Sequence, residues 1–267
     1  MKSINLPGAL TLGLFCCSAV SAQVQQPPLF SRDYCVKVKD GKSAEYAQYL
    51  QDVTVKIAKV RVDEGLYLSY TIAQAVVPSG RAARCDYHLV TTYSGFPPDL
   101  SGTPRMEADM KKAGITMSRA AAMAKRDELS SLVSEDIWRW FERVGTSSKG
   151  SYARLNYYKA KPGAMGDWVR GESTGWKLLA ESVAKDMPGT GWRAATLSMP
   201  GGTGLPYNAM TVDVFPSWEA LGKGIPTRAT WNKVHPNQDM TAYMDRMGEL
   251  VDRPRVDVVK LVEVIQK

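Results

Sequence analysis

The sequence reads as an α+β protein in which one βαββαβ unit is written twice, and three observations carry that reading. First, sliding the chain along itself by 122 positions sets Lys37 on Lys159, Lys39 on Lys161, Gly41 on Gly163 and Tyr46 on Trp168. The match continues through Ala58 and Ala180, Tyr70 and Trp192, Pro78 and Pro200, and Tyr93 and Phe215. Near the end a shift of 121 pairs Glu128-Leu129 with Glu249-Leu250 and Asp136 with Asp257. So long a period marks a duplicated domain, because solenoid repeats run to about 20–50 residues. Second, each copy switches between apolar periods of two and 3.6 in the same order. Third, 267 residues, 44% hydrophobic and 23% charged, supply apolar material for two ordinary domains and do not read as a disordered chain.

The elements follow in order. Lys2, an apolar run from Leu6 to Ala19, and small residues Ser21 and Ala22 before Gln23 make residues 1–22 a secretory signal peptide, so an exported chain beginning at Gln23 is expected. The run is shorter than the roughly 18 residues of a membrane span, and no later segment reaches that length without charges, so no membrane span is expected. Cys16 and Cys17 leave with this segment, and loss of Lys2 lowers the net charge from +7 to +6. Residues 23–33 read as a linker, residues 34–146 as the first repeat and residues 151–267 as the second.

In the first repeat, Tyr34 to Val38 alternates as a strand. Ala44 to Val62 spaces Tyr46, Tyr49, Leu50, Val53, Ile57 and Val60 three or four apart, as a helix does. Tyr67 to Val77 is a second strand, ended by the turn signal Pro78-Ser79-Gly80, and Tyr87 to Tyr93 a third. A helical region from Arg105 to Val133 leads to a last strand, Asp136 to Val144. The sister elements are Ala153 to Ala160, Met165 to Lys185, Trp192 to Met199, Tyr207 to Phe215, Trp218 to Val251 and Val256 to Ile265. This is the ferredoxin-like order. Two helices cover only one face of a four-stranded sheet, so each repeat is expected to bury its bare face against the other.

Order, duplication and the aromatic-Pro-x-Gly pattern at Tyr70 to Gly80 and Trp192 to Gly202 give the chain, from about Tyr34 to Gln266, a resemblance to the dimeric α/β-barrel superfamily, with two units fused in tandem and packed sheet to sheet. The resemblance implies a fold, and it admits cofactor-free monooxygenases as well as haem enzymes such as chlorite dismutases and dye-decolourising peroxidases.

Chemistry is thinly marked. The two histidines, His88 and His235, fall in different repeats, which provides no histidine metal cluster. His88 lies in a strand, opposite Met210 in the repeat alignment, and reads as structural. His235 precedes Pro236, and no haem or other cofactor is expected on it. No Gly-x-Ser-x-Gly elbow occurs. Gly201, Gly202 and Gly204 lack the Lys-Ser/Thr that phosphate binding needs, and read as a hairpin turn. The basic residues are scattered without an aromatic stripe, which argues against a nucleic-acid partner. Cys35 and Cys85 are an even pair in an exported chain and a disulfide candidate. In the ferredoxin-like order the first and third strands are antiparallel neighbours, which sets the two cysteines opposite each other. The same face would carry Lys37, Tyr87 and Thr91, and Tyr157 should neighbour Tyr207 at the sister positions.

The second repeat places Arg154, Asn156, Thr211 and Asp213 inside apolar strands where the first has Arg32, Tyr34, Leu89 and Thr91. These four either line a wet cavity between the sheets or mark strand ends in water. Trp192 and its fellow tryptophans either pack a core or wall a ligand. The expectation is therefore an exported protein that binds a small, partly apolar molecule between its sheets through Arg154, Asn156, Trp192, Tyr207, Thr211 and Asp213. The alternatives are a cofactor-independent monooxygenase-like enzyme and a structural or interaction protein of the cell envelope. A cavity of several hundred Å³ favours the first two, and a packed interior the third.

Overall fold

Apolar residues on both faces of the same strands demand two cores, and the chain supplies both by closing its sheet. The computed structural model describes residues 27–99, 103–202 and 204–267; the signal-peptide reading, with Cys16 and Cys17, lies outside them. The first half runs β1 (Leu29–Val38), α1 (Ser43–Tyr49), α2 (Lys56–Asp63), β2 (Ser69–Val77), β3 (Tyr87–Ser94), α3 (Thr103–Lys112), α4 (Arg119–Leu129) and β4 (Ser130–Gly145). The second runs β5 (Tyr152–Ala160), α5 (Met165–Gly171), α6 (Lys177–Asp186), β6 (Gly191–Met199), β7 (Ala209–Phe215), α7 (Trp218–Lys223), α8 (Thr227–Val234), α9 (Met240–Leu250) and β8 (Val251–Gln266).

Three strands start earlier than their sequence pattern indicates. β1 reaches back to Leu29, through residues read as linker, because its inward side chains there, Ser31 and Asp33, are polar and hide the alternation. β4 and β8 begin directly after the last helical residue, with no intervening loop to mark the change.

The strand order is β1-β3-β2-β8-β5-β7-β6-β4, closed into a barrel. Each half contributes the same internal order, β4-β1-β3-β2 and β8-β5-β7-β6. The halves meet along two antiparallel seams, β2 with β8 and β4 with β6. Sheet-to-sheet packing of the two units as a dimeric α/β barrel is the expectation, and the halves meet as one closed sheet. Pairing at the seams satisfies the N–H and C=O groups that free edges would leave exposed.

The space between the halves is thereby the barrel interior, and it is filled. Ala73, Trp138, Leu155, Tyr157, Ala195, Met210, Val212, Val259 and Leu261 pack there. Outside, Val36, Tyr70, Ile72 and Tyr87 pack on Tyr46, Leu50, Ala58 and Val62 of the first half's helices. In the second half Ala160 and Ala209 pack on Trp168, Leu179, Val183, Trp231, Tyr243 and Met247.

Cys35 and Cys85 form a disulfide with Cα atoms 5.2 Å apart. The strand register differs from the expected one. Cys35 pairs in the ladder with His88, and Cys85 lies before β3, where the chain bends so that the Asp86 N–H donates to the Val36 carbonyl. Parity is lost across that bend, so Tyr87 and Thr91 face the helices and not the disulfide. The second half repeats the offset. Tyr157 pairs with Met210, and Tyr207 reaches back to place its ring 4.8 Å from that of Tyr157.

Candidate functional site

Strand parity decides what the sequence left open. Arg154, Asn156, Tyr158 and Ala160 share one face of β5, and Ala209, Thr211, Asp213 and Phe215 one face of β7; Ala160 and Ala209 belong to the helix-packed core. Arg154, Asn156, Thr211 and Asp213 therefore lie together, but under the helices and not in the barrel interior. Trp192 pairs with Asp213 and packs beside Ala180 and Trp176 on the same outer face. Of the six expected ligand contacts only Tyr207 points inward.

On the outer face Arg154 Nε and Asn156 Nδ2 both donate to Asp213 Oδ2, at 3.0 and 2.9 Å, and Asn156 Nδ2 also reaches Thr211 Oγ1 at 3.1 Å. Next to them is a cavity of about 30 Å³ bounded by Trp176, Leu179, Trp192, Asp213, Phe215 and Ile225, among others. It is apolar with one carboxylate in its wall.

Sequence reasoning missed Glu172. The long helix of each half is interrupted by a π-helical turn at the same place, Leu50–Val55 and Glu172–Trp176, a feature frequent at functional sites. Leu50 is buried in the first half, and Glu172, 122 positions on, is equally buried in the second. Its Oε2 has no hydrogen-bond partner. Burial, and then the negative charge of Asp213, hold its carboxyl well above the usual carboxylate range. Tyr158 is pushed up to about 12, by burial first and Glu172 second, against a hydrogen bond with Thr211 that lowers it. The signal was present in the repeat alignment, which sets a Glu on a Leu.

The π turn is latched from the other side. Tyr243 donates to the Gly171 carbonyl at 2.8 Å, and His235 Nε2 donates to the Gly175 carbonyl at 3.1 Å. The His235 ring lies 4.3 Å from that of Trp231. With Nε2 engaged, the ring held against Trp231 and so small a cavity nearby, these residues do not fit a haem. Among the described residues no group of three or more His, Cys, Asp or Glu is arranged to hold a metal ion, and no helix is long and apolar enough to cross a membrane.

A second polar set closes one end of the barrel interior. His88 Nδ1 donates to Asp33, 3.0 Å from Oδ2. Tyr207 donates to Asp136 Oδ2 at 2.7 Å and accepts from Arg84, and Arg255 bonds both oxygens of Asp257. Burial alone would lower the His88 pKa, but the charge and hydrogen bond of Asp33 outweigh it and raise the value. His88 is thus buried in the barrel wall and ion-paired with Asp33.

No protein-family model matches this sequence, and no curated protein matches it by sequence. Solved structures do match the fold. A protein from Lactobacillus acidophilus, provisionally named a monooxygenase, superposes with a TM-score of 0.53 at 11% identity over 90% of this chain and 97% of its own. A protein from Fusobacterium nucleatum, with the same provisional name, gives 0.53 and 11% over 91% and 95%. Likeness at this identity establishes the fold and nothing finer. Its fold is that of a dimeric α/β barrel.

Proposed function

We propose that the protein binds a small, partly apolar molecule in the helix-facing pocket of its second half. Asp213, held by Arg154 and Asn156, supplies the polar contact and Trp176 and Trp192 the apolar wall, with Glu172 close enough to Asp213 to feel its charge. Glu172 carries the reading. A buried polar atom without a partner costs on the order of 1–3 kcal/mol, and the first half avoids that cost with Leu50 at the same place. A local rule broken in one copy only is expected where the position is used. Burial favours its protonated form, in which a carboxyl can donate a hydrogen bond.

The present cavity has room for about two water-sized spheres, whereas ordinary ligand sites hold a few hundred Å³. Entry therefore displaces Gly224 to Pro226, the stretch without regular structure that carries Ile225 onto the pocket wall. In the same reading the chain is a tandem fusion of two ferredoxin-like units exported by residues 1–22, and its disulfide accords with an oxidising compartment.

Native mass spectrometry of protein purified from its own compartment tests the site. The wild type is expected to carry a small-molecule adduct that a folded Glu172→Leu variant lacks. A wild type without an adduct favours the structural role that the packed interior suits, and an adduct retained by the variant moves the site elsewhere.

A second reading, a cofactor-independent monooxygenase, draws on the same pocket, since room for two water-sized spheres between apolar walls suits dioxygen. Heavy-oxygen label passing from dioxygen into the co-purifying molecule, and lost in Glu172→Leu, separates this reading from simple binding.

A further inference from the structure

Two arginines meet at the rim of the barrel opposite the His88 end. Arg143 in β4 and Arg193 in β6 are direct partners across a seam, and side chains so placed share a face with Cβ atoms roughly 4.5–5.5 Å apart. The face is the inner one, because Ala195, two residues after Arg193, and Val212, its β7 partner, both pack in the barrel interior. Trp192 points the other way, so the sheet separates this pair from the pocket proposed above.

Like charges directly opposite one another destabilise a ladder. Other arginines of the sheet and its cover are matched with acids: Arg32 with Glu135, Arg61 with Asp109, Arg154 with Asp213 and Arg255 with Asp257. Neither Arg143 nor Arg193 has a carboxylate within ion-pair distance among the described residues. Arg193 is half-buried and makes one hydrogen bond, from Nη2 to Ser147 Oγ at 2.8 Å. Burial, and then Arg143, lower its pKa to about 10. The segment carrying Ser147 is fixed in place, since Gly145, at φ +70°, packs its α-carbon against the Thr190 carbonyl where a side chain would collide.

We infer that this rim binds one small oxyanion, the carboxylate or phosphate group of a small molecule, in the fork formed by Arg143 and Arg193 with the Ser147 hydroxyl beside them. Planar guanidinium groups match both anions through paired N–H donors. The anion replaces the missing acid and removes the repulsion within the rung.

Thermal unfolding of the full chain in sodium phosphate and in sodium benzoate, each against sodium chloride of equal ionic strength, tests this. The melting temperature should rise with at least one of the two anions, by a few degrees more than with chloride, as ligand linkage requires. Which anion acts identifies the head group. Arg143→Met and Arg193→Met should each abolish the rise and melt above the wild type in anion-poor buffer. A wild type that follows the chloride control overturns the site, as does a rise that persists in both variants. Should Arg193→Met fail to fold, Arg143→Met, at an exposed position, decides the matter alone.

Discussion

Leu50 and Glu172 occupy corresponding places in the two halves of the barrel, so the first half is a control for the second. Glu172→Leu installs the side chain that the first half already packs there, and should stabilise the fold by about 1–3 kcal/mol, the cost of the unpartnered oxygen; urea unfolding would read it. The pH dependence has a definite sign. The folded carboxyl is raised above its unfolded value of about 4.3, so its favourable contribution is complete in acid and is lost as pH rises through the folded pKa. Glu172→Leu should flatten that slope. His88 follows the same rule from a different cause. Its raised pKa gives stability that is full below about pH 6.5 and is lost above it, as the ion pair with Asp33 discharges. Asp33→Asn should remove this slope and cost about 3–5 kcal/mol, the usual penalty for breaking a buried pair. Stability curves at several pH values would check both. Neither His88–Asp33 nor Arg143–Arg193 was legible in the sequence, because each depends on a register between strands far apart in the chain.

The helices and strands were legible in their order, because a spacing such as Tyr46, Tyr49, Leu50, Val53 distinguishes a helix whatever packs on it. Their faces were not. β5 has Leu155 and Tyr157 turned into the barrel and Tyr158 and Ala160 under the helices, so its apolar pattern has no single side. The polar set at Arg154 to Asp213 was therefore recognised correctly as a set and assigned to the wrong face. The π turn is packed so closely that its glycines are fixed. A methyl group on Gly175 would overlap the ring of Tyr243, and one on Gly171 the sulfur of Met247. Gly175→Ala should accordingly destabilise by about 1–3 kcal/mol, the range for overpacked interiors, and separate α9 from the turn. Tyr243→Phe, which loses only the bond to the Gly171 carbonyl, should cost about 1 kcal/mol. Equal losses in the two variants would contradict this account of the latch.

Across the whole molecule the disulfide joins residues 50 positions apart within the first half, and loop-closure entropy assigns it roughly 4 kcal/mol. Reduction should lower the unfolding free energy by up to that amount and leave the barrel seams intact, since β2–β8 and β4–β6 involve neither cysteine. Non-reducing peptide mapping with matched unfolding curves would test both statements. The correspondence between the two halves was the most legible feature of all, because Lys37-x-Lys-x-Gly and Lys159-x-Lys-x-Gly stand in register along the chain and the halves share one strand order. What it could not convey was that the bare sheet faces meet by closing a ring. That closure within one polypeptide bears on stoichiometry. A barrel assembled from two identical chains must carry every substitution twice, so an unpaired buried acid would weaken both halves at once and create two equivalent sites. Here Leu50 can hold one half firm while Glu172 burdens only the other, so the pocket near Glu172 is expected to hold one molecule per chain.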